Sequence, residues 1–185
     1  MGERIGKWLA YHEAGHAVAR LALDRELPYP GQMVKRVSIV ERIDQRIISS
    51  RGTVMHAIGM AEQDGRVQLA TLPALMADPE YWSRFQADIE QRARMAIIES
   101  YAGPAAEGIS RRWSKAGIYF TLCNTPDFTH PEDVSKLLPM GNLDALYDEA
   151  WRLMRRNWPS VKTVADALWI AKELDGDEVE RLAKL

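Results

Sequence analysis

The residues with the most chemistry in this sequence lie together near its start: His12-Glu13-Ala14-Gly15-His16. On a helix, residues four apart lie about 40° from each other, so His12 and His16 project side by side. Two imidazole nitrogens in that relation can both ligate one tetrahedral zinc ion. Glu13 is turned about 100° from His12, which suits it to take a proton from a water on the metal rather than to ligate beside the histidines. Gly15 costs roughly 1 kcal/mol of helix propensity relative to Ala, a cost that makes sense where something approaches the helix backbone closely. With four His and 14 Glu among 185 residues, this spacing would arise by chance in roughly one such sequence in 150. Three ionisable groups within five residues of an apolar helix are expensive to bury without a common partner, and a metal ion is such a partner.

A catalytic zinc keeps three protein ligands and one open position. Ala19 and Ala22 stand where a metzincin continuation would place its Gly and third His, so the third ligand must be distant in sequence. Spacing leaves His56, His130, Glu132, Asp133, Glu99 and Glu107 open for that role. Cys123, the single cysteine, excludes an intrachain disulfide and a cysteine-rich zinc site. Within Ile118-Tyr119-Phe120-Thr121-Leu122-Cys123 it reads as a small core residue.

The elements that must position these groups are mostly helical. Residues 3–24 carry apolar side chains nearly all round, as a buried helix does, and Leu27-Pro28-Tyr29-Pro30-Gly31 ends it. Val34–Val40 and Gly52–Ala57 are short and β-branched, and read as two strands that could pair antiparallel. Glu62-Gln63-Asp64-Gly65 reads as a polar turn. Asp78-Pro79-Glu80 starts a long helix with Trp82, Phe85, Ile89, Ala93, Ala96 and Ile97 on one face, and Gly103-Pro104 is expected to stop it. Residues 104–112 then read as a short helix, 113–130 as a loop with a strand at 118–122, and helices are expected near 131–138, 143–156, 160–173 and 177–184. The expected fold is mainly α (α+β), with a small antiparallel β element. It reads as a single domain over 1–185, with 1–140 as its catalytic part and 141–185 as C-terminal helices.

Composition limits the function. Lys+Arg is 24 against Asp+Glu 26, a formal net charge of −2, which argues against nucleic acid as a partner. The longest stretch free of Asp, Glu, Lys and Arg falls short of the ~20 residues of a membrane span, and the N-terminus has no signal-peptide core. The chain therefore reads as soluble and cytoplasmic. The six tryptophans read mostly as core, and the basic pairs Arg111-Arg112 and Arg155-Arg156 as solvated faces. No phosphate-binding Gly-x-x-x-x-Gly-Lys-Ser/Thr is present, since Gly6-Lys7 is followed by Trp8.

Tyr11-His12-Glu13-Ala14-Gly15-His16-Ala17-Val18 resembles the zinc motif of the FtsH-type peptidase domain, the proteolytic half of AAA+ proteases. Val34–Val40 and Gly52–Met55 resemble the two strands that follow the motif in that family. Tyr101–Ile109 resembles its Gly-Arg-Ala-Ala-Glu-Glu segment, and Leu174–Val179 its C-terminal signature. The resemblance implies a free-standing zinc metalloendopeptidase that cleaves unfolded or flexible protein segments, with Glu13 as general base. It assigns His12, His16 and Asp133 as ligands of Zn²⁺, because the family's third ligand is an Asp in a stretch that opens a helix. It also implies a homo-oligomer and a separate ATPase partner. The strand at Gly52–Ala57 would align the substrate, with His56 beside it. Two other readings stand beside this one: a non-catalytic module of the same fold that docks to a partner or ATPase, and a helical structural protein with a chance motif.

Overall fold

The apolar run carrying the histidines forms helix α1, Trp8–Asp24, at the centre of the molecule. The computed structural model describes residues 5–25, 34–42, 47–48, 54–55, 59–63 and 71–185. After α1 come strands β1 (Val34–Ile39), β2 (Ile47–Ile48), β3 (Val54–Met55) and β4 (Gly59–Gln63). Helices α2 (Leu72–Met76), α3 (Pro79–Arg111), α4 (Lys115–Leu122), α5 (Pro126–Leu137), α6 (Leu143–Arg156) and α7 (Trp158–Ala171) follow, then β5 (Glu173–Asp175) and α8 (Gly176–Ala183). The fold is mainly helical with a small antiparallel sheet.

Helix α1 is buried nearly all round, through Leu9, Ala10, Ala14, Ala17, Val18, Ala19 and Leu23, and its ionisable residues His12, Glu13, His16 and Arg20 are buried with them. Its main partner is α3. Asp78 caps α3 by accepting from the N–H groups of Glu80 and Tyr81, with Pro79 at the first helical position, as the sequence leads one to expect. The helix does not stop at Gly103-Pro104 but runs on to Arg111, and Arg112 closes it in the left-handed region at φ 57°. A proline inside a helix costs about 3 kcal/mol, here by removing the N–H that would bond the Ser100 carbonyl. Burial offsets that cost, because Ile97, Ile98, Ala102, Ala105 and Ala106 on either side of Pro104 are sealed in the core. The expected separate helix at 104–112 is the end of α3.

The sheet also differs from expectation. β1 pairs antiparallel with β4 on one side and β5 on the other, so that Val37 lies opposite Ala61 and Leu174. β3 pairs instead with β2 in a separate two-stranded ladder. Glu62 and Gln63, read as a turn, end β4. Main-chain pairing supplies a strand's hydrogen bonds whatever its side chains, so polarity at an edge strand hides it from a pattern reading. Residues 115–122, read as loop and strand, form α4 because Ser114 caps it by accepting from Gly117 N–H. Cys123 closes α4 and is half-buried rather than core. Of the tryptophans, Trp151 is in the core, and Trp8, Trp82, Trp113, Trp158 and Trp169 pack partly buried against it.

The C-terminal helices fold back on the earlier elements. α6 packs on α3, and α7 packs on α1, where Trp158 stacks on Tyr11. Asp175 caps α8 by accepting from Glu178 N–H. No described helix is long and apolar enough to cross a membrane.

Helices α1 and α3 approach each other closely. A Cβ on Gly15 would lie 2.6 Å from the Ala102 carbonyl oxygen and 2.7 Å from Ala106 Cβ. Ala at position 15 would gain about 1 kcal/mol of helix propensity but would force two backbones apart, and overpacking of this kind costs about 1–3 kcal/mol. Gly15→Ala should therefore lower the free energy of unfolding in urea, by up to about 2 kcal/mol; a higher midpoint would contradict the close approach.

Candidate metal centre

Helices α1 and α3 run antiparallel, and each ionisable turn of α1 meets a partner on α3. His12 Nδ1–H donates to Glu107 Oε2 at 3.1 Å. One turn on, His16 Nδ1–H donates to the Glu99 carbonyl at 2.8 Å. One turn further, Arg20 donates to the Glu99 carboxylate at 3.2 Å. Glu99 and Glu107 are both buried. Gly103 leaves the room that His16 fills, because a Cβ there would fall 2.2 Å from His16 Nε2.

With both Nδ1 atoms committed to acceptors, the tautomer of each ring is set and both Nε2 atoms point the other way. They converge on Asp127. His12 Nε2 lies 3.0 Å from Asp127 Oδ2, and His16 Nε2 lies 3.4 Å from Asp127 Oδ1. The ligating atoms of His12, His16 and Asp127 all lie within 4.8 Å of one another. Asp127 sits in the first turn of α5, with Thr125 before it and Pro126 starting the helix. Its neighbour Phe128 anchors that turn in an aromatic cluster, with ring centroids 5.3 Å from Tyr101, 5.5 Å from Tyr147 and 5.4 Å from Tyr119.

Asp133 does not join this cluster. α5 begins five residues before the expected 131–138, so Asp133 falls in its second half, exposed and paired with Lys136 at 2.8 Å. That lysine holds its carboxyl below the usual carboxylate range. The acid that opens the helix is Asp127, and the reason for the misplacement is a duplicated start signal: Thr125-Pro126-Asp127 and His130-Pro131-Glu132 both put proline before an acid. Thr125 takes the cap position in extended backbone, with its hydroxyl donating to the Leu122 carbonyl and not capping the helix N–H groups. Glu132 is exposed and His130 half-exposed on the same helix. Glu99 and Glu107 lie on the far side of the rings, holding the Nδ1 hydrogens. His56 lies outside the described residues.

The donor set fits a divalent metal. A neutral imidazole whose Nδ1 carries hydrogen has only a lone pair at Nε2, and here two such lone pairs face carboxylate oxygens. Acceptors held this close need a cation between them, whether protons or a metal. Glu13, Glu99, Glu107 and Asp127 against Arg20 and Arg111 form a set with two surplus negative charges when both rings are neutral, the charge of one divalent ion. Two imidazoles and one carboxylate are a usual ligand set of catalytic zinc. In the protein without metal the cation is protons. Burial alone would lower the His12 and His16 values, but Asp127, with Glu107 at His12, outweighs it and raises both, that of His12 well above the usual imidazole range. Burial alone would raise the Asp127 carboxyl, but the His16 charge and the hydrogen bonds from both rings hold it well below the usual range.

The cluster opens onto a cavity of about 490 Å³. Glu13 lines it with the two histidines and Asp127, and Trp8, Leu122 and the β4 residues Gly59–Ala61 form apolar walls. A Cβ on Gly59 would lie 2.3 Å from Glu13 Oε1, so β4 passes directly over that carboxylate. The strand beside the cluster is thus β4, whereas the expected strand at Gly52–Ala57 contributes only Val54–Met55 among the described residues and pairs with β2. No protein-family model matches the chain, and no curated protein matches it.

The pairing has a pH signature. Groups held high, His12 and His16, add stability in full below about pH 6.5 and lose it as pH rises through their raised values, while Asp127, held low, adds stability that persists above about pH 3.9. In chelator-treated protein the melting temperature should therefore fall as pH rises above about 6.5. Replacing both histidines by Asn should remove that fall; a melting temperature that instead rises over this range would contradict the pairing.

Proposed function

We propose that this chain is a zinc-dependent metalloendopeptidase that hydrolyses peptide bonds in unfolded or flexible segments. The observation that carries the reading is the convergence of His12 Nε2, His16 Nε2 and the Asp127 carboxylate on one point beside Glu13, at the floor of an open cavity. His12, His16 and Asp127 are the residues that would hold Zn²⁺, with Asp127 taking the role the sequence suggested for Asp133. Zinc in such a site supplies Lewis acidity, which makes water nucleophilic near neutral pH and polarises a carbonyl.

The chain's own residues supply the rest. Glu13 accepts the proton of the attacking water and returns it to the leaving amine. Glu107 and the Glu99 carbonyl hold the two rings so that neither turns away from the third ligand. Among the described residues β4 pairs with β1 alone, so its outer edge is placed to pair with an extended substrate, and an extended substrate is one without fold of its own at that point. The apolar walls exclude water around the reacting groups. The same features support the resemblance to the FtsH-type peptidase domain, and Asp127, which opens a helix, suits that family's third ligand better than Asp133 does.

The test is digestion of a fluorescently labelled unfolded protein without ATP, with bound zinc measured in parallel. Glu13→Gln should lower cleavage by about 100-fold or more with zinc retained. Loss of zinc from that variant would remove the role given to Glu13. Asp127→Ala should lose both zinc and cleavage, and Asp133→Ala should keep both; the reverse pattern would return the third ligand to Asp133.

A further inference from the structure

Arg111, expected on a solvated basic face, is drawn into the metal centre. Its Nη1 donates to Glu107 Oε1 at 2.7 Å, one turn back along α3. The other oxygen of that carboxylate, Oε2, accepts from His12 Nδ1–H. The two oxygens of Glu107 thus have one partner each, and the carboxylate is 2% exposed. The guanidinium is in turn fixed by two indoles. Its Cζ lies 3.5 Å from the Trp113 ring centroid and 5.4 Å from that of Trp8, which is itself a wall of the cavity. Stacking of this kind suits the flat guanidinium and not an ammonium.

We propose that Arg111 is a positioning residue for the metal centre: held over the Trp113 ring with Trp8 beside it, it ties down one oxygen of Glu107 and so aims the other at His12. This rests on the metal-centre reading above. A carboxylate held only by His12 could turn about its final bond, and the ring would turn with it. Removing the guanidinium would also leave Glu107 as a buried anion whose remaining partner is a ring that must stay neutral to ligate. Arg111 reaches no ligating atom, so its whole effect on the metal passes through Glu107.

Cobalt(II) is a suitable probe, since its visible absorption reports on coordination. Affinity would be measured against a chromophoric chelator for wild type, Arg111→Met, Arg111→Lys, Glu107→Gln and the double variant Glu107→Gln/Arg111→Met, with far-ultraviolet circular dichroism of each to establish folding. Arg111→Met should weaken cobalt binding about tenfold, as loss of a group supporting a ligand does. Arg111→Lys, which keeps the charge without the stack, should lie between it and wild type, and decides the matter if the Met variant does not fold. The double variant should bind about as Glu107→Gln alone does, because the two act in series. Equal affinity in wild type and both Arg111 variants would overturn the role of Arg111 alone, as would losses that multiply in the double variant. Failure of the wild type to bind cobalt would overturn the metal centre with it. The expected series of affinities would support the role of Arg111 whatever the cleavage assay gives, so the positioning role and the peptidase activity fail separately.

Discussion

The backbone contact between α1 and α3 is the constraint on which the rest depends. Gly15 against Ala102 and Ala106, and Gly103 against His16, bring the helices closer than ordinary side chains allow. At that separation a histidine on α1 reaches a carbonyl or carboxylate on α3 without intervening water. A larger residue at either glycine would move the two rings as well as loosen the core. Packing and chemistry therefore share the same residues, and neither can be altered alone.

The close approach also explains why so many ionisable groups are tolerated in an apolar interior. His12, His16 and Arg20 are spaced a turn apart on α1, and each faces a hydrogen-bonding group on α3. Burying a polar group costs several kcal/mol without a partner and little with one. Glu99 serves twice, its carbonyl holding His16 and its carboxylate holding Arg20. The outer end of the row is closed by Arg111, whose guanidinium returns the Glu107 charge to the surface between two tryptophans. On the cavity side this row ends where the two Nε2 atoms face the Asp127 carboxylate.

What was legible in the sequence follows the range of the forces involved. α1 could be read because its apolar residues and its motif are local, and α6 was placed at 143–156 because its strong amphipathic pattern is contained in fourteen residues. The course of α3 past Gly103-Pro104 was not legible, because what holds it is burial against α1 and α6, elements more than thirty residues away. β4 was hidden for the same reason: its hydrogen bonds come from β1, and its side chains carry no alternating pattern. The helix that supplies Asp127 was anticipated, but its start was set five residues late by a second proline-acid pair. The resemblance, laid on that later start, pointed to Asp133, which is exposed, while Asp127, absent from the sequence candidates, is the acid that lies beside the two histidines. Arg111 was unreadable for another reason, since nothing in an Arg-Arg pair marks one member as bound to a buried glutamate and stacked on two indoles.

The two faces of the histidine pair differ. On one, the Nδ1 hydrogens are met by Glu107 and by the Glu99 carbonyl of α3. On the other, both Nε2 atoms face Asp127, a pairing that protons on the rings complete in the protein without metal and that a divalent ion would complete under the proposed function. A pair of purely structural role would account for the first face as well as an enzyme does. The second opens to the cavity beside Glu13, and in the proposed enzyme it is the side from which a cation, a water and an extended chain would enter. That division follows from α1 having α3 behind it and β4 in front.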